Sequence, residues 1–413
     1  MNKHIPELRD FSTLRQKGPE LCDQPWPMLL DAPPVFWAMQ DRCWIVHRHA
    51  EVTSVLTDRS FLVADLSSIV QDLCTRSGKP TPTLTGLLSA FLPFINPPQH
   101  EDARRFLRAV LPQGCLADHA AVLNRLSEDL LADVAKDRTF DAALRYADVL
   151  PSLFIAHVLG LPGPLVVDFV RETAEIGRTF DRGCSPRYYA RMETLIIDQR
   201  LPFLSIVSER RKKPDDSAIS RMILLADASY PLSDVDIANH VMFLIMAASE
   251  NTAALIGNTI AAVVEAGLVD ALVDAEPPIL RAAVEETLRY APPVRQMWRI
   301  AQTDLTLGGA RISRGERLLL LTDAASRDPA VYPDPDRFDP WRSNRRGFGF
   351  GLGRHYCLGA ELALLEAETA LRVILQRLPR RVSDLPFEWH DRQTLRRALH
   401  LPLILSPQKG LAP

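Results

Sequence analysis

One long helical segment, from Ser233 to about Gly267, constrains the fold more than any other part of the sequence. Ser233 followed three residues later by Asp236 is typical of a helix N-terminus, although the usual partner at that position is Glu or Gln. A helix of this length spans about 50 Å at ~1.5 Å per residue. Because most globular helices are much shorter, the segment predicts a central helix that crosses the whole molecule.

A block of four polar residues interrupts the apolar middle of this helix. Apolar residues 241–248 precede the block and residues 253–256 follow it. Burying such a block without hydrogen-bond partners is costly, so it faces either solvent or the water and ligand of a cavity. The small Ala247 and Ala248 leave room beside the helix. The block consists of Ser249, Glu250, Asn251 and Thr252.

The rest of the sequence predicts a mostly α protein with small β-sheets. Short strands, turns and one short helix are expected over residues 33–63, an irregular stretch with prolines over 65–98, and helices from about 99 to 274. A further helix is expected from Pro278 until just before Pro292, followed by mixed strands and loops. Because no repeat or low-complexity linker marks a boundary, residues 1–413 are expected to form a single domain.

Composition and charge place the chain among ordinary globular proteins. Of its 413 residues, 47% are hydrophobic and 24% are charged, and the formal net charge is −3. This balance gives no reason to expect nucleic acid or an anionic membrane as a partner. The stretch 1–23 is too polar for a signal peptide, and no later apolar run reaches the ~20 residues that span a bilayer. We therefore expect a cytoplasmic protein without a membrane anchor.

The cysteines are too widely separated to form a metal cluster motif. Zinc-ribbon, iron–sulfur and covalent CxxCH heme patterns are all absent from the sequence, and most cysteines in such a chain are small buried apolar residues. The six are Cys22, Cys43, Cys74, Cys115, Cys184 and Cys357.

Cys357 differs from the other cysteines because it lies in a glycine-rich loop, residues 347–359, directly before a helical pattern from Ala360 to about Leu378. The loop lacks both the Lys-Ser/Thr pair and the GxGxxG spacing of phosphate-binding loops. At a helix N-terminus the macrodipole and the free backbone N–H groups stabilise a thiolate. A thiolate in this position is a good ligand for heme iron, and its electron donation favours O–O cleavage.

Four motifs, in the right order, resemble those of the cytochrome P450 family, and the resemblance covers nearly the whole chain, from residue 33 to 404. The family's cysteine loop, F-x-x-G-x-x-x-C-x-G, is present as Phe350, Gly353, Cys357 and Gly359, with the histidine of the bacterial version at His355. The other motifs are the E-x-x-R pair Glu286 and Arg289, the P-x-R-F segment Pro335-Asp336-Arg337-Phe338, and the N-P-P-x-H-x-x-x-R segment with Asn96, Pro97, Pro98, His100 and Arg104.

The resemblance implies the P450 fold, a triangular α-rich prism with a β-rich N-terminal region, and one heme b (iron protoporphyrin IX) whose iron is ligated by Cys357. Glu286, Arg289 and Arg337 are expected to form a buried charge network without a catalytic role. Arg and His side chains suit the heme propionates, although these residues could also be ordinary surface or helix-cap residues. The residues expected at the heme are His100, Arg104, Arg299, Phe350, Gly351, His355, Cys357 and Gly359.

The polar block of the central helix departs from the family pattern of a small residue, glycine, any residue, an acid and threonine. Alanine 248 replaces the glycine and Asn251 replaces the threonine, while Thr252 lies ~100° further around the helix. In the family the acid relays protons and the hydroxyl holds the water that delivers them. An amide positions a water but does not pass a proton as a hydroxyl does. Three interpretations stay open: Asn251 acts less directly, a hydroxyl of Ser249, Thr252 or the substrate replaces it, or the reaction needs less proton delivery.

The resemblance also places the substrate against mostly apolar residues, which predicts a lipophilic small molecule. The expected lining comprises the loop 84–95, Phe243 and Ala247 of the central helix, the stretch 294–298 beginning with Val294, and residues near 395–401. Arg295 is an exception within this lining. Pointing inward, it would suit a carboxylate-bearing substrate such as a terpenoid acid; otherwise it turns to solvent or to a propionate.

These features together predict a heme-thiolate monooxygenase that uses O2 to oxidise a lipophilic small molecule, such as a terpenoid or another secondary-metabolite acid. Catalysis is assigned to Glu250, Asn251 and Thr252. The alternatives are a P450-fold enzyme for coupling, desaturation or rearrangement, and a non-catalytic heme sensor.

Electrons are expected from a separate ferredoxin or flavodoxin, because nothing before the fold could bind flavin and only 56 residues (413 − 357) follow Cys357. Arg342, Arg345 and Arg346 precede the heme loop. They either steer an acidic partner or are simply solvated. The protein is expected to act as a monomer.

Overall fold

Helices dominate the part of the chain that the computed structural model describes, namely residues 29, 31–111, 116–134, 139–180, 184–378, 386–390, 392 and 394–404. In chain order the α-helices are α1 (His49–Thr57), α2 (Leu66–Arg76), α3 (Pro82–Leu88), α4 (Gln99–Val110), α5 (Leu116–Val134), α6 (Leu150–Leu159), α7 (Gly163–Thr173), α8 (Pro186–Lys212), α9 (Ala218–Ser229), α10 (Asp234–Glu265), α11 (Val269–Leu272), α12 (Pro277–Tyr290), α13 (Thr322–Ala325) and α14 (Ala360–Leu375).

The strands are short and form small sheets, as the sequence predicted. They are β1 (Val35–Ala38), β2 (Cys43–Val46), β3 (Phe61–Leu62), β4 (Thr139–Asp141), β5 (Gln296–Ala301), β6 (Leu305–Leu307), β7 (Ala310–Ile312), β8 (Arg317–Leu321), β9 (Glu388–Trp389), β10 (Ala398–His400) and β11 (Pro402–Ile404). One five-stranded sheet has the order β1-β2-β8-β5-β3, with β2 and β8 parallel. The pairs β6–β7, β9–β10 and β4–β11 are antiparallel.

The described residues fall into two units. The first comprises the described residues up to 63, Leu131–Arg145 and the described residues from 254 onward. The second comprises the described residues of 64–130 and 146–253. A single domain over residues 1–413 stays a prediction. Cys22, Cys115 and the polar stretch 1–23 lie outside the described residues.

The prediction of an irregular stretch over residues 65–98 was wrong, because this stretch contains α2 and α3. The carboxylate of Asp65 caps α2 by accepting a hydrogen bond from the backbone N–H of Ser68 at 3.0 Å. Pro82 lies in the first turn of α3, where the missing N–H of proline breaks no helical hydrogen bond. Pro82, which the sequence analysis interpreted as a sign of irregular structure, therefore lies at the start of a helix.

In the first unit the five-stranded sheet packs against α1. Val46 of β2 lies beside Leu320 of β8, and both pack with Val52 of α1 and with Phe348 in one hydrophobic cluster. Burying a side chain of this size contributes ~1.5–3 kcal/mol. The cluster therefore fixes Phe348, at the start of the glycine-rich loop, to the sheet.

In the second unit α8 packs against α2, α3 and α9. The buried carboxylate of Glu193 on α8 accepts hydrogen bonds from the backbone N–H groups of Thr83 at 2.9 Å and Leu84 at 2.6 Å. These N–H groups lie in the first turn of α3 and have no partner within that helix. A carboxylate at a helix N-terminus also interacts favourably with the helix dipole, so α8 holds the short helix α3 in place.

The central helix has the predicted cap. The Ser233 hydroxyl accepts a hydrogen bond from the N–H of Asp236 at 3.2 Å, and the Asp236 carboxylate accepts one from the N–H of Ser233 at 2.9 Å. Its 32 residues span about 48 Å. By length and composition α10 could cross a membrane, but 72% of its most apolar window is buried inside the protein, and a core helix passes the same test.

Candidate active site

The glycine-rich loop places Cys357 three residues before α14, as the sequence predicted. The N–H of Cys357 donates a hydrogen bond to the carbonyl oxygen of Phe350 at 2.9 Å, which closes the loop into a turn. The cysteine is half-buried and forms no disulfide. A half-buried sulfur just before a helix N-terminus is well placed for a thiolate that binds an external metal.

Two glycines let this loop approach its neighbours closely. Gly353 adopts φ +67°, and a Cβ there would collide with the carbonyl oxygen of Leu56 at the end of α1. A Cβ at Gly347 would lie 2.7 Å from the Cα of Arg289 on α12. The loop before Cys357 is therefore pressed against both α1 and α12, and larger residues at these positions would push it away.

The E-x-x-R pair is fully buried, as predicted. Arg289 donates two hydrogen bonds to the Glu286 carboxylate, at 2.9 and 2.7 Å, and both side chains have 0% exposure. The guanidinium also donates to the carbonyl oxygens of Ser326 at 3.2 Å, Pro335 at 2.8 Å and Arg337 at 3.2 Å. Because each donor has a partner, the network ties α12 to the segment that leads into the cysteine loop.

The third cation of this network is Arg342 and not the side chain of Arg337, so that part of the prediction was wrong. The Nε of Arg342 lies 3.3 Å from the Glu286 carboxylate, and this side chain is 9% exposed. The side chain of Arg337 is exposed, and its carbonyl oxygen accepts hydrogen bonds from both Arg289 and Arg342. The P-x-R-F motif thus contributes backbone carbonyl oxygens to the network, because the Arg337 side chain is exposed to solvent.

Arg299 on β5 is a buried cation without a carboxylate partner in the described part of the chain. The residue is 7% exposed, and its guanidinium donates to the carbonyl oxygen of Trp298 at 2.8 Å. Burial, followed by the like charge of Arg354, lowers the pKa of Arg299 to about 10. A buried guanidinium beside a second cation requires an anion, and a heme propionate supplies one. The residues around Cys357 therefore fit a heme. Sequence reasoning missed Arg354, whose one signal was its place next to His355.

The other residues expected at the heme lie in both units. His355 is half-buried in a short turn of the cysteine loop, Gly353–His355, in the first unit. In the second unit His100 and Arg104 lie four residues apart on α4, so their side chains share one face of that helix. His100 is 1% exposed and Arg104 is half-buried.

Arg295 does not turn to solvent. Its Nε lies 2.9 Å from the carboxylate of Asp323, and its side chain is 7% exposed. The chain thus supplies its own carboxylate for this arginine. Next to it, Val294 forms a bridge with Leu395, which brings the predicted stretches 294–298 and 395–401 together.

The polar block of α10 divides between two environments. Asn251 is exposed and Glu250 is half-buried. Ala247 precedes Glu250 by three residues and Asn251 by four, so it shares their face of the helix, and it is half-buried too. Ser249 and Thr252 are 2% and 4% exposed. The accessible polar groups in the middle of this helix are therefore the carboxylate and the amide, whereas the two hydroxyl-bearing side chains point into the protein.

Comparisons with known proteins agree with this geometry. A family model described as Cytochrome P450 matches residues 275–391. The chain is 29% identical to Epothilone C/D epoxidase of Sorangium cellulosum over 95% of each chain. It is 30% identical to Erythromycin C-12 hydroxylase of Saccharopolyspora erythraea, over 88% of this chain and 90% of that relative. The solved structure of Epothilone B-bound Cytochrome P450epoK matches with a TM-score of 0.83 at 27% identity, covering 95% of this chain and 99% of that chain.

The chain belongs to the cytochrome P450 family. It has the mostly α P450 fold with small sheets, and it is a cytochrome P450 monooxygenase that binds heme b. The predictions of the family, the fold class, the enzyme class and the cofactor are thus confirmed. The roles of individual site residues remain proposals.

The charge network makes a prediction that separates Arg342 from Arg337. Arg342→Ala removes a nearly buried cation from Glu286, so we expect it to lower the free energy of unfolding by ~2–3 kcal/mol. Arg337→Ala changes an exposed side chain and should cost less than ~0.5 kcal/mol. Urea unfolding of both variants, with heme content measured beside it, checks this; an equal or larger loss for Arg337→Ala would contradict the assignment.

Proposed function

We propose that this enzyme oxidises an uncharged lipophilic small molecule, with Cys357 as the residue that would ligate the heme iron. The observation that carries the proposal is the half-buried cysteine held three residues before α14 by its hydrogen bond to Phe350. When bound and reduced, heme supplies O2 activation, and a thiolate ligand favours O–O cleavage. The helix dipole of α14 stabilises the thiolate form of Cys357.

Cationic side chains orient the heme by binding its propionates. Arg299 is the strongest candidate, because its buried charge lacks a carboxylate partner within the described residues. His355, His100 and Arg104 are proposed for the same role. Phe350, Gly351 and Gly359 are proposed to shape the loop around the sulfur. A Cβ at Gly351 would lie 3.6 Å from the terminal methyl carbon and 4.0 Å from the sulfur of Met297, in ordinary van der Waals contact.

Proton delivery is assigned to the accessible face of α10. Glu250 takes up a proton from solvent at its carboxylate, and Asn251 positions a water by donating or accepting a hydrogen bond through its amide. Ser249 and Thr252 are buried, which disfavours the interpretation that either hydroxyl replaces the missing threonine. Two interpretations remain: Asn251 acts through a water, or the reaction needs less proton delivery, as in coupling, desaturation or rearrangement.

The substrate is proposed to be a lipophilic secondary metabolite. Phe243, Ala247 and Val294 are apolar and are proposed to line its site. The similarity to an epothilone epoxidase and to an erythromycin hydroxylase supports a secondary metabolite as the substrate. Because Asp323 already pairs with Arg295 at 2.9 Å, a carboxylate on the substrate would find no free cation there. A terpenoid acid therefore has less support than an uncharged substrate.

Electrons are proposed to come from a separate ferredoxin-type protein. Two of the three arginines before the cysteine loop already have carboxylate partners and are therefore less available to bind an acidic protein. Arg342 pairs with Glu286, and Nε of Arg345 lies 3.5 Å from a carboxylate oxygen of Glu285. Arg346 is exposed and is the proposed steering residue. A cytoplasmic monomer is the corresponding proposal for location and assembly.

The thiolate ligand is tested by the carbon monoxide spectrum of the reduced protein. We expect a thiolate-type Soret band in the wild type and its loss in Cys357→Ser, because an alcohol is a far weaker donor to iron than a thiolate. Cys184→Ser, at another half-buried cysteine, serves as the control and should keep the band. An unaltered spectrum in Cys357→Ser would refute the proposed ligand.

The role of Asn251 is tested by the ratio of hydrogen peroxide released to NADPH consumed, using a surrogate ferredoxin system and the ligand with the largest low-to-high spin shift in a screen. Asn251→Val removes both hydrogen-bonding groups and should raise this ratio toward its limit of one peroxide per NADPH, because losing a positioned proton-transfer group slows the productive step about 10²–10⁴-fold. Asn251→Thr should not raise it. The buried Thr252→Val is the control. If Asn251→Val leaves the ratio unchanged, the reaction does not depend on this amide.

Electron transfer tests the partner surface. Arg346→Glu should slow reduction by an acidic ferredoxin about tenfold at low salt and flatten the dependence of the rate on ionic strength, because steering by opposite charges is screened by salt. Arg311→Glu reverses an exposed charge on β7 and should have little effect. Equal slowing by both variants would show a general effect of net charge.

A further inference from the structure

The side-chain carbonyl oxygen of a buried asparagine on α10, Asn239, has no hydrogen-bond partner among the residues that the structure describes. Asn239 is 3% exposed, and its Oδ1 accepts no hydrogen bond from the described residues. Leaving a buried polar atom unsatisfied costs about 1–3 kcal/mol, and native proteins rarely do so without a reason. A ligand group that binds to this atom is one such reason.

Asn239 lies on the same face of α10 as two residues proposed to contact the substrate. Asn239, Phe243 and Ala247 recur at every fourth position, so their side chains lie one above another along the helix. Phe243 packs against Phe91, with ring centroids 5.0 Å apart, and Phe91 belongs to the stretch 84–95 predicted to line the substrate site. The amide therefore continues an apolar surface by one turn of helix, ~5.4 Å.

Helix α3 forms the neighbouring wall within the same unit. A Cβ built on Gly86 would lie 3.5 Å from the Nδ2 of Asn239, so α3 passes directly beside the amide. Gly86 itself is half-buried. Because Glu193 fixes the first turn of α3 through two backbone hydrogen bonds, this wall keeps its position beside Asn239. A polar group is thus held in a defined place on a mostly apolar surface.

We propose that Asn239 is a specificity-determining residue that hydrogen-bonds a hydroxyl on an otherwise lipophilic substrate. The inference rests on the proposed function and narrows its substrate class to hydroxylated lipophilic molecules. A hydroxyl both donates and accepts, so it pairs with either end of the amide. A hydrocarbon ligand leaves the amide unsatisfied, and buried polar groups discriminate strongly against ligands that lack the matching group.

Imidazoles with an N-alkyl tail test this inference in the heme-loaded enzyme, because imidazole nitrogen binds heme iron and gives a characteristic difference spectrum. Asn239 lies ~12 Å along the helix from Ala247, so tails of about six to twelve carbons cover that length. Each tail is made in two forms, one ending in a methyl group and one in a hydroxyl. Dissociation constants are measured for the wild type and for Asn239→Leu, which has a similar volume and no polar atoms.

We expect the methyl-to-hydroxyl ratio of dissociation constants to peak at one tail length in the wild type. At that length it should fall about five- to tenfold in Asn239→Leu, the loss expected for one hydrogen bond to a buried group. Asn239→Ala should give the same loss if the leucine variant does not incorporate heme. Asn344→Leu, the same change at an exposed asparagine, should leave every ratio unchanged.

The same ratio at every tail length in the wild type and both Asn239 variants would overturn the role of Asn239 while leaving the proposed function intact. Failure of the proposed function has a different signature. In that case no imidazole would give the difference spectrum, and the carbon monoxide spectrum of the wild type would lack the thiolate band.

Discussion

The buried ion pair between Glu286 and Arg289 is the interaction on which the cysteine loop depends. Two charges with 0% exposure gain little net stability from each other, since desolvation offsets their attraction. The pair instead fixes the positions of neighbouring chain segments. The guanidinium also binds the carbonyl oxygens of Ser326, Pro335 and Arg337, and Gly347 packs over the Arg289 backbone. The segment leading to the cysteine is thus fixed from two sides.

Two arginines close together in sequence show how differently the fold treats similar charges. Arg295 and Arg299 are both buried, but Asp323 neutralises the first at 2.9 Å. Arg299 has no carboxylate partner among the described residues, and burial lowers its pKa to about 10. Asp323 therefore satisfies the charge of Arg295 within the protein, whereas Arg299 is the cation proposed to bind an anionic group of the cofactor. Two residues of the same type thus have different proposed roles.

The central helix combines a structural and a chemical role, and its polar residues show where each applies. Its capped N-terminus and its apolar surface account for its length. Glu250 and Asn251 break the apolar pattern on an accessible face, whereas Asn239 breaks it at a buried position. A buried polar group without a hydrogen-bond partner is costly, whereas an accessible one is not. We attribute the buried Asn239 and the accessible Glu250 and Asn251 to the proposed chemistry rather than to the fold.

The sequence by itself determined the family, the mostly α architecture, the capped central helix, the E-x-x-R pair and the cysteine loop, because each depends on residues close together in the chain or on a fixed motif spacing. Only the tertiary structure decided that Arg342 replaces the side chain of Arg337, that Asp323 neutralises Arg295 and that α2 and α3 lie within residues 65–98. It also decided that Oδ1 of Asn239 is buried and accepts no hydrogen bond from the described residues. These outcomes depend on side-chain direction and on partners distant in sequence, such as Glu286 and Arg342, which spacing alone does not specify.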